Sequence, residues 1–141
     1  MTNKKFATQT VTSLCFFLAV LSIRGASAEG ASKLPPASTQ TGVTYTKDIK
    51  SIFDASCVKC HGAEKPKGKL RLDSLAGALK GGEDGKVIKP GNSAESTMVK
   101  SIAHVGDPDF FMPPPKNKAN IGPLTTEQIG LVRAWIDQGA K

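Results

Sequence analysis

Cys57-Val58-Lys59-Cys60-His61 is the stretch best equipped for chemistry. Two thiols three positions apart at the end of a helix lie on one side of it. There both can add to the vinyl groups of a haem, and the next side chain offers an imidazole to the iron; the pattern reads as c-type haem attachment. Two other readings of paired cysteines lack what they need. A zinc ribbon wants a second C-x-x-C or a pair of histidines, and the rest of the chain holds only Cys15 and His104. A thioredoxin-like redox pair wants a βαβ setting, and no stretch here alternates with period two.

An iron held by one histidine leaves its sixth position to explain, and Met112, Met98 and His104 are the candidates. Met112 lies in Phe110-Phe111-Met112-Pro113-Pro114-Pro115. Proline fixes φ and removes backbone donors, so this segment is a stiff, extended loop that could hold a thioether without helix packing. The two Phe rings are expected to seal that side from water. Met98 sits on the apolar stripe of a helix, where methionine more often fills a core. His104, near that helix's end, reads as a surface or cap histidine. Met112 is therefore the expected distal ligand, with His104, Met98 and an open site as the remaining options.

Four helical signals separated by Gly and Pro breaks must position these groups. The first runs from about Thr46 to Ser56, with Ile49, Ile52, Phe53 and Ser56 on one face, and leads into Cys57. A short second helix fits Ser74–Lys80, capped by Asp73 and stopped by Gly81. A third should start near Asn92 with Glu95 three residues on, carry Met98, Ile102 and Val105, and end at Gly106-Asp107-Pro108. The last begins at the capping box Thr125-x-x-Gln128, buries Ile129, Leu131, Val132, Trp135 and Ile136, and closes at Gly139. The expected class is all-α, three to four helices wrapped around a covalently bound haem.

The chain of 141 residues is long enough for one ordinary domain. Lys4 and Lys5, the uncharged run Val11–Ile23 and Ala26-Ser27-Ala28 form the three parts of a secretory signal peptide, with cleavage expected after Ala28. The run is short of the ~20 residues that span a bilayer. Residues 29–43 are small, polar and Pro-containing, and read as a flexible linker; residues 44–141 form the remaining domain. Lys plus Arg is 19 against 12 acidic residues, a formal charge of +7. The leader takes Lys4, Lys5 and Arg24 with no acid, which leaves +4. Haem propionates would lower the charge further, so the case for a nucleic-acid partner weakens. Five aromatic residues remain after the leader, namely Tyr45, Phe53, Phe110, Phe111 and Trp135. That is a thin core unless a non-protein group fills the centre.

The chain resembles a small class I cytochrome c, and more narrowly the planctomycete-type cytochrome c domains. Ile52-Phe53 precedes Cys57-Val58-Lys59-Cys60-His61-Gly62, followed by Lys69-Leu70-Arg71-Leu72-Asp73-Ser74, Gly81-Gly82, Pro90-Gly91 and Ser96. Met112-Pro113-Pro114 and the run from Leu124-Thr125-Thr126-Glu127-Gln128-Ile129 to Trp135-Ile136-Asp137-Gln138-Gly139-Ala140 complete the match. It covers nearly all of residues 45–141. The resemblance implies one haem c with thioethers at Cys57 and Cys60, His61 as proximal ligand and Met112 as distal ligand.

The expected function is a soluble one-electron carrier, periplasmic or otherwise exported, with no catalytic residues of its own. Its partners would be redox proteins with an acidic docking face; the mature chain is expected to be a monomer without membrane insertion. The basic run Lys59, Lys65, Lys67, Lys69 and Arg71 reads either as a docking face or as a solvated loop. One alternative is an electron-transfer subunit of a periplasmic dehydrogenase. Another is a haem enzyme acting on peroxide or a small gas through an exchangeable sixth ligand, for which His104 is the sole spare catalytic group. Gly81-Gly82-Glu83-Asp84-Gly85-Lys86 hints at a phosphate loop, but its glycine spacing is short and Val87 stands where Ser or Thr is needed. A solvated turn is the better reading.

Overall fold

The computed structural model describes residues 34–141; the expected signal peptide and the first part of the expected linker lie outside the described residues. Within them the chain forms five α-helical segments: α1 (Lys50–Ser56), α2 (Val58–His61), α3 (Leu75–Lys80), α4 (Thr97–Ile102) and α5 (Thr126–Asp137). A π-helical turn, Tyr45–Ile49, leads into α1. The described residues contain no β-strand, only an isolated bridge between Gly82 and Gly85. The class is all-α, as the absence of period-two patterning requires.

The longest helix, α5, follows from local signals. Thr125 accepts the Gln128 N–H while the Gln128 side chain takes the Thr125 N–H, so both halves of the capping box form. Ile129, Val132, Trp135 and Ile136 are buried. Gly139, at φ 100°, ends the helix, and the Ala140 N–H bonds back to Trp135 O at 2.9 Å. Trp135 is fully buried against Tyr45 and Phe53, with ring centroids 6.0 and 6.1 Å away. Its indole N–H and the Tyr45 backbone N–H both donate to Lys141 O, at 2.9 and 2.8 Å. The first and last elements of the domain thus share one aromatic core.

The first helix begins earlier than its sequence suggests. Thr44, not Thr46, caps it, and Asp48 takes the Thr44 N–H at 2.9 Å. Its expected apolar face is buried at Ile49, Ile52 and Phe53. In the second helix Ser74 rather than Asp73 supplies the cap, accepting the Gly77 N–H, and Gly81 at φ 85° is the stop. The third helix starts only at Thr97. Asn92 does accept the Glu95 N–H at 3.0 Å. However, the Ser96 hydroxyl bonds Asn92 O and receives the Lys89 N–H, and Ser93 is bonded to Asp137 of α5. These side-chain bonds hold residues 92–96 in a turn instead of a helix.

Residues 34–43 are not a free tether where they are described. Leu34 and Val43 are buried. The Ser38 N–H donates to Gly130 O at 2.8 Å, Arg133 donates to Pro35 O, and Gln138 bonds Val43 N and Gln40 O. Gly130 is required here: a Cβ would stand 2.9 Å from Pro36 O. Composition suggested a linker because the segment lacks periodicity, yet its backbone groups find partners along α5. The glycine-rich stretch after α3 is a tight turn, closed by Gly82 N to Gly85 O at 2.9 Å.

Candidate functional site

At Cys57 the helix breaks, with φ −125° and ψ −44°, and a new turn starts. The Cys57 N–H still donates to Phe53 O at 2.8 Å, so α1 directly positions the motif. Cys57 O then accepts the N–H groups of Cys60 and His61, at 3.0 and 2.9 Å. The motif therefore occupies one helical turn. Cys57 and Cys60 are both free thiols, half-buried, with Cys57 packed against the apolar core. Burial, and secondarily the neighbouring Cys60, pushes the Cys57 thiol up to about 12.

His61 is held by the chain that follows it. Its Nδ1 lies 3.2 Å from Leu70 O, and the Leu72 N–H donates to His61 O at 2.8 Å. Leu72 O in turn accepts the buried Tyr45 hydroxyl at 2.9 Å. With Nδ1 taken by a carbonyl, Nε2 is the nitrogen left for a ligand role. Burial lowers the His61 pKa against the raising effect of the Leu70 and Lys67 backbone bonds, which favours the neutral, electron-donating imidazole.

Met112 is half-buried at the edge of the core. Its N–H donates to Ser101 O at 3.0 Å, which ties it to α4, and its peptide bond to Pro113 is cis. A single 3-10 turn, Pro108–Phe110, precedes it, so the loop is non-helical on both sides of the methionine. Met98 is buried in the core on α4. The pair of Phe rings does not act as one seal. Phe110 is 64% exposed, while Phe111 is half-buried and stacks on His104 with centroids 4.7 Å apart and planes 4° from parallel. His104 is a cap residue in its backbone but not a surface one in its ring. It sits at φ 52° after the end of α4, and its Nε2 is buried without a hydrogen-bond partner among the described residues.

Cys60 and Pro114 line one cavity of about 410 Å³, together with Lys59, Lys67, Lys116, Asn117, Lys118 and Ala119. The cysteine turn and the loop that follows Met112 thus face each other across a single hollow. Asn117 laces that loop: its amide donates to Pro114 O and Ile121 O at 2.9 and 2.8 Å and accepts the Ile121 N–H at 3.0 Å. Of the basic run, only Lys59 and Lys67 reach the cavity. Lys69 lies 3.7 Å from Glu83, and Arg71 pairs with Asp73 at 2.6 Å. Lys116 and Lys118 complete the rim. In the sequence they look like loop lysines, and only the fold sets them beside Cys60.

The donor set fits a porphyrin better than a bare ion. Among the described residues no three His, Cys, Asp or Glu side chains gather to hold a metal. A macrocycle that brings its own nitrogens needs only axial donors and two thiols from the chain; of the motif residues and Met112, Cys60 alone lines the lysine-rimmed hollow.

No helix among the described residues is long and apolar enough to cross a membrane. No curated protein and no solved structure matches the chain. Residues 57–116, from the first cysteine of the motif to the lysine beyond the proline run, match the family model for planctomycete cytochrome C, a similarity that supports a cytochrome c-type domain over that part of the chain.

Proposed function

We propose that the protein is an exported, soluble, monohaem one-electron carrier, with thioethers at Cys57 and Cys60 and iron ligation by His61 and Met112. The family match supports haem-based electron transfer, and domains of this family usually act as carriers rather than enzymes. The observation that carries the reading is the fixed imidazole. His61 follows Cys60 in one turn and has its Nδ1 engaged by Leu70 O, as an axial ligand requires.

Haem c bound there supplies a reversible one-electron iron couple. Leu70 orients His61 and fixes which nitrogen is free. Met112, tied to Ser101 O, offers a soft sulfur that favours the reduced state, and a full set of six ligands would let oxidation proceed without ligand exchange. Cys57 packs against the apolar core that includes Phe53 and Leu72, which would keep water from that side of the cysteine turn. Lys59, Lys67, Lys116 and Lys118 form a positive rim at the cavity mouth, which supports brief, salt-sensitive encounter with an acidic redox protein.

Haem staining that survives denaturation tests the attachment, and replacing Cys57 and Cys60 by Ala should abolish it. Ferric protein should show the weak long-wavelength charge-transfer band of thioether–iron ligation, and Met112→Ala should remove it. A wild-type spectrum without that band, unchanged in Met112→Ala, would overturn the His/Met assignment.

A further inference from the structure

The end of α4 and the Met112 loop are joined in a way that the carrier chemistry by itself does not demand. After Ile102 the helix ends with His104 in the left-handed region, at φ 52°, and the Val105 N–H bonds back to Lys100 O at 2.9 Å. Histidine is among the few residues that adopt this conformation with any frequency. The same backbone carbonyl, Ser101 O, accepts the N–H of His104 at 3.2 Å and that of Met112 at 3.0 Å. Between these two bonds the His104 ring lies flat on Phe111, the residue immediately before Met112.

We propose that His104 is the positioning residue for the distal ligand: its ring clamps Phe111, and through Phe111 and the shared Ser101 carbonyl it holds the Met112 thioether in place for iron. The proposal rests on Met112 being the distal ligand. Geometry favours stacking over hydrogen bonding as its means. The planes are 4° from parallel, while the buried Nε2 has no partner among the described residues that would anchor the ring by an edge. Phe110, the other ring of the pair, is exposed and contributes nothing to the clamp.

Added imidazole competes with Met112 for ferric iron, so its apparent affinity reads the population in which the methionine is released. Losing an aromatic stack should raise that population, and tighten imidazole binding, by about 2- to 10-fold. His104→Asn keeps a residue that tolerates the left-handed backbone but removes the ring, and Phe111→Leu removes the stack from the other side. Both should tighten imidazole binding by that factor and lower the reduction potential. Phe111→Tyr keeps a flat ring against His104 and leaves the left-handed backbone at residue 104 untouched, so its affinity should stay within about twofold of wild type. Guanidinium unfolding of each haem-loaded variant separates this effect from global stability. Unchanged imidazole affinity in both His104→Asn and Phe111→Leu would refute the clamp, as would a Phe111→Tyr variant as loose as Phe111→Leu. If Met112→Ala leaves both spectrum and imidazole affinity at wild-type values, the ligand reading itself falls, and the clamp with it.

Discussion

Removing the Asp137 carboxylate should destabilise the domain by loosening the turn before α4 from α5. Asp137 ends α5, and its two oxygens accept the Ser93 backbone N–H at 2.7 Å and the Ser93 hydroxyl at 2.9 Å. Ser93 is 1% exposed, while the Asp137 side of the pair is open to solvent. Its hydroxyl also receives Arg133 Nε at 3.0 Å, and Arg133 reaches on to Pro35 O. One buried serine therefore links α5, the turn before α4 and the segment at residues 34–38. Two short bonds from a buried serine to a charged acceptor, replaceable in part by water on the exposed Asp137 side, make Asp137→Ala cost about 2 kcal/mol. Asp137→Asn keeps an acceptor for the Ser93 N–H and should cost about 1 kcal/mol. Ser93→Ala removes only the hydroxyl, so the double mutant should be less destabilised than the sum of the singles. The assay is reversible guanidinium unfolding of the haem-loaded protein, followed by far-ultraviolet circular dichroism at constant pH. Asp137→Ala within about 0.5 kcal/mol of wild type, with unchanged denaturant slope, would refute the idea that this network ties the α4 turn to α5.

Two further outcomes follow from the same structure. Tyr45 is the single tyrosine of the sequence, and burial, with the charge of Asp54 next, raises its pKa above the ordinary 10.0. Its protonated form is favoured by folding, so its contribution to stability is complete below pH 10 and lost as pH rises through the folded value. Tyrosinate difference absorption should show the late titration, and Tyr45→Phe should cost about 1 kcal/mol at neutral pH while flattening the alkaline loss. A Tyr45 that titrates at or below 10 would contradict its burial and its bond to Leu72 O. Gly130→Ala sets two effects against each other. Helix propensity alone predicts a gain of about 1 kcal/mol, whereas the new Cβ would stand 2.9 Å from Pro36 O. We expect a net loss of about 1 kcal/mol and faster proteolysis within residues 34–40; a net gain would show that the segment does not pack on α5.

Much of the domain is legible without coordinates because its signals are local. C-x-x-C-H fits within one helical turn, and hydrogen bonds between near neighbours build that turn. The capping box of α5, the Gly139 stop and the buried faces of α1 and α5 obey the same short-range rules. Errors arose where distant groups outbid local ones. Residues 92–96 carry a helix-start pattern, but Asp137 and the Ser96 hydroxyl hold them in a turn. Residues 34–43 have a linker's composition, yet α5 offers partners for their backbone.

The sequence by itself determined the all-α class and the C-x-x-C-H motif with its candidate ligands, because residue type and spacing along the chain suffice for these. Tertiary structure alone decided what surrounds them. It set Leu70 O on His61 Nδ1, brought Lys116 and Lys118 to the rim beside Cys60, and laid His104 on Phe111. Each of those contacts is made by folding loops that have no periodicity, so only the folded backbone determines which side chains meet.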